Sequence, residues 1–166
     1  MTKLTNFVFH SSLAIAIIFN IVAVGRAKAE DVNDFGELQM AIGNNSKNYI
    51  NVKQDISFDN EIVINRSNLT ISGPGGGGEV KLNGIGEHRF FTVGESWENI
   101  SLKNLHLDGG HDNEQEFIYS DEEQNLIHNP MAGGGAINLR KGTKVILENI
   151  TFSNSQTTAG GGAICS

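Results

Sequence analysis

Cysteine occurs once in the 166 residues, as Cys165, which excludes an intrachain disulfide framework and any paired-cysteine metal or redox site. Proline occurs twice and tryptophan once. Bases are also few, 12 Lys and Arg against 19 Asp and Glu, and Lys3, Arg26 and Lys28 among them lie ahead of Glu30, the first acid of the chain. The rest of the chain is therefore strongly acidic and has no Lys/Arg patch with interleaved aromatics, which argues against nucleic acid as a partner. Long helical periodicity is missing, and no apolar run long enough to span a membrane follows Val24. Glycine is abundant, at 20 residues, yet 39% of the chain is hydrophobic and no Gly-X-Y period exists, so collagen and wholly disordered classes fall away. The length fits one domain of ordinary size.

The segment from Met1 to Ala29 reads as an export signal. Lys3 opens a short basic region, an apolar stretch runs from Leu13 to Val24, Gly25 interrupts it, and Ala27-Lys28-Ala29 supplies the small residues of a peptidase site. Cleavage after Ala29 leaves a mature chain beginning at Glu30, with no membrane span and a secreted or cell-surface location. A membrane anchor over Phe7–Val24 is the competing reading, weakened by His10, Ser11, Ser12 and Asn20.

Residues 30–48 read as an N-terminal cap. Phe35, Leu38 and Ile42 fall at helical spacing, Asp34 is placed to cap the N-terminus, Glu37 stands one turn on, and Gly43 stops the helix. From Tyr49 the period changes to two. Short apolar-alternating segments recur at 49–52, 56–58, 62–64, 69–71, 80–82, 90–93, 100–102 and 105–107, separated by Asn, Gly, Ser and Asp. Two self-similar motifs run through them. Asn, apolar, polar, apolar appears at Asn68-Leu69-Thr70-Ile71, Asn104-Leu105-His106-Leu107 and Asn149-Ile150-Thr151-Phe152. Gly133-Gly134-Gly135-Ala136-Ile137 recurs intact as Gly160-Gly161-Gly162-Ala163-Ile164. Strands repeated at such an interval predict an all-β solenoid, a right-handed parallel β-helix over residues 49–166 of about five to six coils. The expected consequences are a ladder of Asn68, Asn104 and Asn149 at one corner, and an inward column of Ile71, Leu107 and Phe152.

Those motifs, with the signal and the capping helix, resemble the pectin-lyase-like superfamily of right-handed β-helices. Within it they are similar to bacterial adhesin and autotransporter passengers and to the GGAI repeats of polymorphic outer-membrane proteins, although Phe152-Ser153-Asn154 is one spacer short of the latter's Phe, two spacers and Asn. The resemblance implies an adhesin-like, non-enzymatic interaction scaffold whose partner is a host or cell-surface protein or a polysaccharide. It also implies a truncated chain with incomplete coils, because the chain stops at Ser166, just inside a repeat. The alternative is the N-terminal part of a carbohydrate-active β-helix enzyme, a polysaccharide lyase or glycoside hydrolase, since this fold serves both classes.

The residues themselves offer little catalytic chemistry. Acids crowd the stretch from Asp108 to Glu123 with no Lys or Arg among them, which predicts an acidic excursion from the coil path over about 109–132. Asp108, Asp112 and Glu114 present oxygen ligands suited to Ca²⁺, without the spacing of an EF-hand or an RTX repeat. No other cofactor is implied. His88, His106, His111 and His128 lack metal-ligand spacing, and His106, alternating with Leu105 and Leu107, is expected to face outward. Gly75–Gly78 lack the Lys-Ser/Thr of a phosphate loop and read as a turn.

Overall fold

The computed structural model describes residues 29–76, 78–114, 117–119, 126–128 and 132–166. The signal segment at 1–28 lies outside these, as do Glu116, Asp121, Glu122 and Glu123. Strand β1 (Ala29–Val32) leads into the one helix described, α1 (Phe35–Gly43). The chain then repeats a three-strand order. The first tier is β2 (Tyr49–Val52), β3 (Ile56–Ser57) and β4 (Ile62–Ile64), and the second is β5 (Leu69–Ser72), β6 (Val80–Asn83) and β7 (Phe91–Val93). In the third, β8 (Ile100–Asp108) and β9 (His111–Asp112) precede a hairpin of β10 (Phe117–Tyr119) and β11 (Leu126–His128), after which β12 (Ile137–Leu139) resumes. The last tier is β13 (Val145–Ser153), β14 (Gln156–Thr157) and β15 (Ile164–Cys165).

Apart from the antiparallel β10–β11 hairpin, every described pairing is parallel and joins one tier to the next. One sheet runs β1-β2-β5-β8-β6-β3 with β13 on β8, a second β4-β7-β12-β15, and a third β9-β14. Their inner faces carry columns of aliphatic and aromatic side chains. Ile50, Ile71 and Leu102 stand in register on the first flank, and Ile56, Leu82 and Leu107 on the second, all at most 2% exposed. Phe91 and Ile137 continue Ile62 on the third. The spacing of the two GGGAI motifs is the register itself: Ile137 pairs with Ile164, and the Gly135 and Ala136 amides donate to the Gly162 and Ala163 carbonyls at 2.6 and 2.8 Å. Gly135 lies against Gln156 so closely that a Cβ would collide with its backbone, which is why glycine holds this corner.

The single column expected of Ile71, Leu107 and Phe152 is corrected to two. Leu107 does pair with Phe152, but Ile71 pairs with Leu102. The cause lies in β8, which turns a corner at Asn104 in the left-handed region (φ 53°), so its first half continues β5 and its second half β6. The Asn ladder divides likewise. The Asn99 side-chain amide donates to Asn68 Oδ1 at 3.0 Å, and that of Asn149 to Asn104 Oδ1 at 3.0 Å. All four have positive φ, as corner asparagines tolerate.

Helix α1 follows its sequence signals. Asp34 Oδ1 accepts the Glu37 amide at 2.8 Å, and Glu37 Oε2 accepts the Asn33 amide at 2.7 Å, satisfying N-terminal donors. Leu38, Ala41 and Ile42 are buried, and the helix packs on β1, β2 and β4. Its other end has no basic residue of its own. Buried Arg66 replaces one, donating to the carbonyls of Ile42, Asn44 and Lys47 at 3.2, 2.7 and 2.6 Å. Phe35 packs edge-on against Phe58, which in turn meets Phe90 and Phe91, so helix and sheets share one core.

Candidate functional site

The segment between β9 and β12 departs from the tier path. Ile137 pairs with Phe91 below it and with Ile164 above it, and far more chain separates the first pair than the second. The two ends of this departure meet at one buried node. Arg89, just before β7, is 5% exposed, and the Asp112 side chain 1%. The Arg89 Nη2 donates to Asp112 Oδ1 in a short ion pair, Nη1 donates to the Gly133 carbonyl at 3.0 Å, and Nε lies 3.5 Å from Glu61 of the tier below. Asp112 in turn accepts the Gly133 amide at 2.5 Å and the Glu114 amide at 3.1 Å, and Thr157 of the tier above donates to it at 3.3 Å. One guanidinium thus ties the residue where the chain leaves to the residue where it returns. Charge-assisted, multiply bonded groups of this kind are the ones that hold a backbone in place. Gly133 sits at φ 101°, a conformation that a side chain would strain. A polar cleft of about 400 Å³ opens beside the node, lined among others by Glu87, His88, His111 and Glu114. His111 Nδ1 lies 2.7 Å from the Gly86 carbonyl and so donates to it.

Asp108 belongs to a different cluster, across the Gly109-Gly110 corner. Ser153 Oγ donates to its carboxylate at 2.6 Å, Lys81 Nζ at 3.0 Å and Asn154 Nδ2 at 2.7 Å. The Ser153 hydroxyl first, then Lys81 and Asn154, hold its pKa well below the usual carboxylate range. His106 lies on the same outer face between buried Leu105 and Leu107, its Nε2 2.6 Å from Ser153 Oγ and its Nδ1 3.9 Å from Glu79.

A depressed carboxyl pKa stabilises the fold at pH above the unfolded value near 4, and that contribution is lost as pH falls toward the folded value. Asp108→Asn is therefore expected to flatten the fall of stability between about pH 4 and pH 2. Urea titrations at stepped pH measure it. An unchanged slope would show that Asp108 titrates alike folded and unfolded.

Of the calcium candidates, Asp112 and Glu114 come together in the cleft and Asp108 does not join them. Asp112 is committed to Arg89 and Gly133, and among the described residues no three His, Cys, Asp or Glu side chains gather as metal ligands would. Arg89 and Glu61 escaped the sequence reading, although a base directly before Phe90-Phe91, in a stretch otherwise turned inward, was a signal that its charge needs a partner. The asparagines that begin N-x-Ser/Thr triplets at 68, 99 and 149 are accounted for by the corner ladders.

Residues 29–159 match the model of the family described as "Putative pectate lyase-like adhesive domain". The chain belongs to this adhesive-domain family. No curated protein and no solved structure matches it. Membership associates the chain with a pectate-lyase-like architecture, with binding to other surface molecules, and with an extracellular or surface location. No described helix is long and apolar enough to cross a membrane. The Arg89 node and the Asp108 cluster each link strands of successive tiers.

Proposed function

We propose that the chain is an exported, adhesin-like interaction scaffold, a right-handed parallel β-helix that binds a host or cell-surface protein or polysaccharide and performs no catalysis. The observation that carries this reading is the adhesive-domain match across residues 29–159. Three features support it. The match begins where the export signal is expected to end, at Ala29. Successive tiers pair in parallel with inward columns, the arrangement by which a solenoid builds a long lateral face. The two acids best placed for chemistry are tied up internally, Asp112 with Arg89 and Asp108 with Lys81, which suits display better than acid–base work. The acidic excursion expected over about 109–132, with Asp112 and Gly133 tied together by Arg89, is on this reading the element offered to a partner. The reading needs no cofactor.

The test is retention of beads carrying the exported chain on layers of epithelial cells and on polysaccharide films. Saturable retention, competed by free chain, is expected. Absence of retention on every surface would overturn adhesion, and release of unsaturated or reducing ends from the polysaccharide would establish the enzyme instead.

A further inference from the structure

The corner between the two flanks is turned in the third and last tiers by one asparagine each, Asn104 between Lys103 and Leu105, and Asn149 between Glu148 and Ile150. The tier below makes the same connection differently. Ser72 is in register with Lys103 and Val80 with Leu105, so the whole loop from Gly73 to Glu79 stands in place of a single residue. Nothing in the strand pairing requires this insertion, since its neighbours show that one residue suffices. The loop is nonetheless rooted firmly: a Cβ on Gly73 would strike the Asn104 carbonyl, so only glycine permits the exit. From there its described residues Pro74, Gly76, Gly78 and Glu79 line, together with the asparagine corner, a cleft of about 420 Å³.

We propose that this cleft is a binding subsite for a neutral glycan; the inference rests on the adhesive reading above and names a ligand class for it. Its volume lies within the roughly 300–1,000 Å³ typical of small-molecule sites. Its chemistry is that of sugar recognition: the amides of Asn104 and Asn149, the Thr151 hydroxyl and the Glu79 carboxylate offer donors and acceptors to hydroxyl groups, while Pro74 supplies apolar surface for the C–H face of a pyranose. The two amides are held beforehand, because Asn149 donates to Asn104 at 3.0 Å and both backbones are locked in the left-handed region, which lowers the ordering cost of binding. Charge selects among glycans. Among the described residues Glu79 is the one ionisable group lining the cleft, with His106 3.9 Å from it and no Lys or Arg in the lining, so uronates, sulfated sugars and phosphates are disfavoured. A peptide would find better purchase by adding a strand along an exposed sheet edge.

The experiment is isothermal titration of the full exported chain with cellotetraose, maltotetraose, galactotetraose and tetragalacturonate, repeated with Glu79→Ala and Thr151→Val. Both variants alter exposed side chains and are expected to keep the wild-type melting temperature. Saturable binding of at least one neutral tetrasaccharide, weakened at least tenfold in each variant, is expected. The proposal is overturned if none of the neutral sugars binds at millimolar concentration, if tetragalacturonate binds most tightly, or if both variants bind like the wild type. Bead retention separates this from the wider reading. Retention that persists unchanged in Glu79→Ala leaves adhesion standing and removes the subsite, whereas no retention of either chain removes adhesion. Capture of a protein through the β13 edge with no sugar response would likewise dismiss the glycan.

Discussion

Arg89→Met is expected to destabilise the protein by about 3–5 kcal/mol, the usual cost of breaking a buried ion pair by removing one member. The substitution leaves Asp112, whose side chain is 1% exposed, without its cation, and removes the donor that holds the Gly133 carbonyl. Glu61, Asp112 and Thr157 belong to different tiers, so their common tie across the node is lost as well. Urea denaturation measures the effect. The companion variant Arg89→Met/Asp112→Asn tests the cause: it takes away the stranded charge while keeping much of the hydrogen bonding, and is expected to recover a substantial part of the loss, giving a coupling energy above about 1 kcal/mol. Limited proteolysis reads the local consequence, since the neck joins Asp112 to Gly133 and cleavage between them should accelerate in Arg89→Met. Wild-type stability in Arg89→Met, or additive behaviour of the double variant, would show that the node does not hold the neck.

Leu107→Asp is expected to cost several kcal/mol, enough to unfold much of the chain at physiological temperature. Leu107 is fully buried, with Leu82 beside it in one tier and Phe152 in the next. A carboxylate there has no base within its column and must either stay desolvated or take up a proton, and both penalise the folded state. Leu107→Ala separates packing from charge: deletion of the branched side chain alone should cost about 2–5 kcal/mol. Thermal unfolding followed by circular dichroism checks both. Unchanged melting in Leu107→Asp would remove this residue from the core.

The elements themselves were legible because they are local. Period-two alternation with β-branched residues marks strands wherever it occurs, and every segment read that way coincides with a strand or overlaps one. Asp34 and Glu37 announced the helix start because capping acts within a single turn. The GGGAI copies even yielded a register, since two identical motifs stacked on each other must lie one repeat apart. The Asn-apolar-polar-apolar motif misled for the complementary reason. Asn99-Ile100-Ser101-Leu102 carries it too, just ahead of the copy at Asn104, and these two copies turn different corners of one tier. So short a pattern cannot say which corner it serves, because the local backbone conformation is the same at both.

What the sequence determined by itself was therefore the inventory: a strand-rich acidic chain with a capped helix and repeated corners. Tertiary structure decided which parts meet. Tiers take unequal lengths of chain, since Ala29 already finds its partner at Tyr49 whereas Ile100 waits until Val145 for the partner above it. Any residue's neighbour one tier away is thus set by the loops between, which have no period. For that reason Arg66 at the end of α1, Arg89 against Asp112, and the cleft that the glycine loop lines with Asn104 and Asn149 emerged only when the tiers were stacked. Each joins groups far apart in sequence, and burial or close approach, not local propensity, selects the residues that meet there.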